Sequence, residues 1–197
     1  MTHYALSEIL IVLGAAWAAR RLYAHHRYGA ALACGVFGLA AALGAIRFGL
    51  DRDGSLIAAL ADIHRFAGTW GGSFAMTALV YDMAQRRLSA PQWQKYQRPY
   101  MALAALALAG ALAFPPLAVA VFLLWSVGFI VLVVASADIL QQGKLAAFSI
   151  AALMLVNVVL FRQAAWLSPA MSWHIFHVLV AVWLFGLGHM LGRARAA

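Results

Sequence analysis

Charge is what this chain has least of. Its 197 residues include fourteen Lys/Arg and six Asp/Glu, 10% in all, against a hydrophobic share of 65% and a mean hydropathy of +0.87. A soluble domain carries about a quarter of its residues charged, because solvation and resistance to association demand it. The shortage excludes that class. Cysteine is almost missing as well. Cys34 stands alone inside an apolar run, which excludes an intrachain disulfide and a thiolate metal cluster. No internal repeat is present, so the inverted-repeat signature of many secondary transporters is absent. Residues 1–6 contain no Lys or Arg, and the positive cluster follows the first apolar run. No cleavable signal is therefore expected, and the first helix is expected to start outside.

What the chain does have is apolar runs, each long enough to cross about 30 Å of hydrocarbon at roughly 20 residues per span. They predict spans over residues 5–19, 28–50, 56–83, 145–161 and 172–191. The stretch 99–140 is too long for one span and is broken at Phe114-Pro115-Pro116, where paired prolines cannot continue a helix. That gives seven transmembrane helices in one all-α domain over residues 1–197. Between them lie a polar turn at Asp51-Arg52-Asp53-Gly54, a loop at 84–98 and a turn at Gln141-Gln142-Gly143-Lys144.

The net charge of +8 would suit nucleic acid, but its placement does not. Arg20, Arg21, Arg27, Arg86, Arg87, Lys95, Arg98, Lys144, Arg193 and Arg195 fall on one side when loops alternate, and Arg47, Arg52, Arg65 and Arg162 on the other. By the positive-inside rule the N-terminus is outside and the C-terminus cytoplasmic. The expected partners are membrane lipids, not nucleic acid. High Ala and Arg content with two lysines suggests a bacterial cytoplasmic membrane.

Ionisable residues at membrane depth need a partner or a role. Glu8, Arg47, Asp62, His64, His174 and His177 all fall near the outer ends of the first, second, third and last spans. Alternating helix direction brings them to one depth. His174 and His177, spaced i, i+3, leave one helix face. With His64 they would form a three-imidazole shell for a zinc ion whose fourth position holds water. Asp82 lies about 27 Å along its helix from His64 and is expected to pair with Arg86, one turn on.

Residues 172–180, Ser172-Trp173-His174-Ile175-Phe176-His177-Val178-Leu179-Val180, resemble the last-helix signature S-H-x-I-F-H-V-L-V of the progestin and adipoQ receptor family. With the alkaline ceramidases, that family belongs to the CREST superfamily of seven-helix membrane hydrolases. The resemblance implies a seven-helix core and a zinc ion near one membrane face, acting on amide bonds of lipids such as ceramides. It also implies zinc ligands from a late His of the second helix and two early His of the last. His177 matches one ligand. Trp173 occupies the position of another, with His174 one residue later. Arg47 occupies the second-helix ligand position, Leu43 that of an assisting Ser, and His64 that of an assisting Asp.

Two readings follow. In the first, the chain is a zinc-dependent hydrolase of a lipid-like amide or ester. His64, His174 and His177 hold the metal, Asp62 or Glu8 accepts the proton, and Arg47 clamps an oxyanion or headgroup. In the second, it is a non-enzymatic binding or sensing protein in which Arg47 replaces the metal, pairing with Asp62 or Glu8. A haem-binding electron carrier with His64 and His177 as axial ligands is a third class. Ion-coupled transport fits less well, because no charged residue falls in the middle of a span and Asn157 is the polar residue there. The run Gly68-Thr69-Trp70-Gly71-Gly72-Ser73 suggests close helix packing or a lipid cleft. Trp93, Tyr96 and Tyr100 are expected in an inner interfacial belt, and Trp166 and Trp173 in an outer one.

Overall fold

A computed structural model describes residues 3–50, 55–162 and 164–193. The expected polar turn at 51–54, Arg52 within it, and Arg195 lie outside the described residues. The described chain is all-helical, with no strand. Helix α1 (His3–Ala24) turns into α2 (Tyr28–Gly49) through His26, whose φ of 57° is left-handed. Helix α3 (Ser55–Phe66) runs through a π-helical turn (Ala67–Gly71) into α4 (Gly72–Arg87) with helical dihedrals throughout, so the three make one rod. The widening falls on the glycine-rich run, where Thr69 Oγ1 and Ser73 Oγ hydrogen-bond back to the carbonyls of Arg65 and Thr69.

Helix α5 (Ala90–Ala113) corrects one expectation. The loop expected at 84–98 shrinks to Leu88 and Ser89, and Pro99 lies inside the helix. Two start signals account for this: Pro91 in the first turn, and Gln92, whose Oε1 accepts from the Ser89 backbone N–H at 3.0 Å. Phe114 is extended and ends α5, as the proline pair predicted, and α6 (Pro116–Val134) follows. A short α7 (Ala137–Leu140), α8 (Lys144–Leu160) and α9 (Pro169–Leu191) complete the chain. Ser168 Oγ caps α9 by accepting from the Met171 N–H, with Pro169 in the first turn.

The rods close into a ring in the order α1, α2, α4, α6, α8, α9 and back to α1, with α5 packed against α4 and α6 from outside. Three helices (α2, α6 and α9) are long and apolar enough to cross a membrane, and α8 is apolar but shorter. Large apolar side chains also face outward, as a membrane requires. On α1 these are Leu6, Ile9, Leu10, Leu13 and Trp17, and Leu39, Leu106, Leu124 and Val159 repeat the pattern on other helices.

At one end, large side chains fill the ring, among them Trp183, Phe129, Met76, Leu79 and Leu187. The same end holds a buried ion pair. Arg27 Nε and Nη2 both stand 2.8 Å from Asp82 Oδ2, and Nη1 donates to the last carbonyl of α9, Leu191 O, at 3.3 Å. The expected Asp82–Arg86 pair is secondary at 3.8 Å. The inner belt is also corrected. Tyr96 is exposed, but Trp93 is buried and Tyr100 donates its hydroxyl to Thr77 O, so those two tie α5 to α4.

Candidate functional site

The opposite end of the ring is hollow. Where α2 carries Ala40 and Ala41, and the π turn carries Gly68, side chains are too small to fill the space. A cavity of about 890 Å³ remains, at the upper end of the ~300–1,000 Å³ typical of small-molecule sites. Its walls are mostly apolar, with Phe37, Phe122, Met154, Val158 and Val180 among them. Its polar lining comes from Glu8, His64, His177 and Trp173, together with three arginines, Arg47, Arg65 and Arg162.

Three helices build the polar cluster. Glu8, two turns into α1, is 1% exposed. Its Oε1 lies 3.3 Å from His64 Nε2 on α3 and 3.3 Å from His177 Nε2 on α9. Both approaches are at ion-pair distance but misaligned, and Oε1 has no hydrogen-bond partner among the described residues. His177 Nδ1 donates to Trp173 O one turn earlier at 2.7 Å. That bond fixes the proton on Nδ1, so a neutral His177 ring turns a bare Nε2 lone pair toward a carboxylate oxygen. Two acceptors 3.3 Å apart repel, so a proton or another cation belongs between Glu8 and His177. Trp173 stacks on the His177 ring at 4.1 Å and, with Phe48 and Tyr4, walls the cluster.

Two expected site residues lie away from the cluster, and a third borders the cavity without joining it. His174 is not with His64 and His177: its Nδ1 meets Ser7 Oγ at 3.3 Å and its ring stacks on Tyr4 and lies beside His3. The i, i+3 spacing put two rings on one face, but the 60° offset between them carries His174 to the α1 side. Asp62 is excluded as proton acceptor here, because its side chain is 75% exposed and paired with Arg65 at 3.5 Å. Arg47 borders the cavity over the Phe48 ring at 4.7 Å, and among the described residues it pairs with neither Glu8 nor Asp62. Glu8, His64 and His177 do come together as expected.

The three-histidine zinc shell is therefore not assembled. Among the described residues no three His, Cys, Asp or Glu side chains form a metal-holding group. The two imidazoles instead approach one carboxylate oxygen, Glu8 Oε1. The residues sequence reasoning missed are Trp173, placed in the cluster rather than an outer belt, and Arg162 at the cavity mouth. Trp166, 69% exposed, does face outward. Asn157 is fully buried and donates to Phe176 O at 2.8 Å, which gives it a structural bond at the cavity's edge. Compared with known protein families, curated proteins and solved structures, the chain matches none.

Proposed function

We propose that this chain is a multi-pass protein of a bacterial cytoplasmic membrane. Its seven helical rods cross the bilayer with the N-terminus outside, and its cavity binds a lipid-like amphiphile in a binding or sensing role. The observation that carries this is the cavity itself. An apolar chamber of about 890 Å³ ends in one buried carboxylate–imidazole cluster and three guanidiniums, a pairing that suits a greasy chain with a polar head. The outward apolar stripe of α1 supports membrane placement for a helix whose own composition is diluted by charge. The likeness of residues 172–180 to seven-helix lipid hydrolases agrees with a lipid ligand.

The test is native mass spectrometry and lipid-binding titration of the full chain in detergent. A monoacyl lipid should bind, and Ala41→Phe or Val158→Phe, which fill the chamber, should weaken it at least about tenfold. Wild-type protein that binds no lipid, or filled variants that bind as well, would end the reading.

Hydrolysis of the bound lipid's amide or ester is a second reading, and the buried Glu8 Oε1, 3.3 Å from each of two imidazoles, favours it. Glu8, with His64 and His177, would take the proton of a water attacking the carbonyl, while Arg47 faces the developing oxyanion. No step is routed through zinc. Acyl-chain release should fall about 100-fold or more in Glu8→Gln. Equal turnover in that variant would exclude this reading, and metal analysis beside His177→Ala decides whether an ion belongs to it.

A further inference from the structure

The cavity mouth carries more positive charge than its carboxylates balance. Arg47 comes from the end of α2, Arg65 from α3 and Arg162 from just beyond α8, so three separate elements bring arginines to the cavity lining. Among the described acids, Glu8 is engaged by His64 and His177, and Asp62 by Arg65. Asp82 is held by Arg27 at the far end, and Asp138 sits on α7. Among the described residues none of them pairs with Arg162; Asp51 and Asp53 lie outside those residues. Burial lowers the pKa of the half-buried Arg162 from its ordinary value, and no described carboxylate offsets this. Keeping a guanidinium there without an anion is costly.

We propose that the ligand is a phosphate-headed, single-chain amphiphile. Its head would be held by Arg162 and Arg47 at the mouth, and its chain would lie in the apolar chamber. A phosphate monoester brings up to two negative charges and three acceptor oxygens, enough for several forked donors at once, whereas one carboxylate satisfies a single fork. The volume is that of a small-molecule site and holds one acyl chain rather than a whole two-chain lipid. This rests on the cavity reading above and adds the head group to it.

The test uses the full chain in neutral phosphatidylcholine nanodiscs, with four probes: oleoyl lysophosphatidic acid, mono-oleoylglycerol, oleate and inorganic phosphate. The lysophosphatidic acid should bind at least about tenfold more tightly than the other three. Arg162→Gln should cut its binding about tenfold while leaving mono-oleoylglycerol nearly unchanged, and Arg162→Lys should recover part of the loss. Unchanged thermal unfolding of both variants shows that they fold. Mono-oleoylglycerol or oleate binding equally well would overturn the phosphate head and leave the cavity reading intact. Inorganic phosphate competing equally would overturn the chain. Failure of all three lipids would sink both.

Discussion

Arg27→Ala is expected to lower stability by about 3–5 kcal/mol, lowering the melting temperature in detergent by on the order of 10 °C. The loss is large because of what remains. Arg27 and Asp82 have side chains only 3% and 5% exposed, so removing the guanidinium leaves a carboxylate buried among α2, α4 and the end of α9. Arg86 cannot replace it, since it is 3.8 Å away and better solvated. The pair also closes the ring: one guanidinium touches Asp82 and Met83 of α4 and the last carbonyl of α9 from the start of α2. Arg27→Met combined with Asp82→Leu should regain most of the stability, because neither charge is then stranded. Arg86→Ala should cost no more than about 1 kcal/mol. An Arg27→Ala protein that melts with the wild type would show that the pair contributes nothing to the fold.

The two ends of the molecule were unequally legible in the sequence. Helix α2 ends one residue from its expected limit and α8 is shifted by one, whereas α1 runs five residues past its expected end at Ala19 because Arg20 and Arg21 stay helical. Errors came where a local signal competed with charge. Lys95 and Arg98 made the start of α5 look like loop, while the capping pair Ser89 and Gln92 had already begun a helix. At the candidate site, depth was readable and direction was not. Alternation of helix direction correctly brought Glu8, His64 and His177 to one level, because depth follows from 1.5 Å per residue. Which way a ring points depends on helix rotation within the ring of rods, and no spacing within one helix fixes that. Hence His174 and Asp62 were counted in and Trp173 was counted out. Arg162 was legible only as an outer-side charge, since its position at the mouth depends on how the turn after α8 folds over the cavity. The same limit applies to Asp82: its neighbour along the helix was visible, but its stronger partner, 55 residues earlier in sequence, was not.

Gly44→Ala should be the most damaging small change to the candidate site, with a sign opposite to the usual one. Within a helix, glycine to alanine ordinarily stabilises by about 0.5–1 kcal/mol, since it removes unfolded-state freedom. Gly35, on the same helix with nothing within 4 Å of an added Cβ, should follow that rule. Gly44 should not. A Cβ there would overlap the Glu8 carboxylate and stand 2.8 Å from His64 Nε2, the ends of two side chains that are only 1% and 11% exposed and so have little room to give way. Overpacking of this kind costs about 1–3 kcal/mol, which exceeds the propensity gain. Relief requires the carboxylate to leave its place between the two imidazoles, so lipid binding should fall by at least about tenfold along with stability. Glu8→Ala, which removes the overlapped group, should make the second substitution nearly free. The double variant should therefore lose less stability than the two single losses combined, the coupling expected of residues in contact. If Gly44→Ala instead stabilises the protein as Gly35→Ala does and binds lipid normally, α2 does not pack against this carboxylate. The chamber would then lack the polar end on which its function is argued.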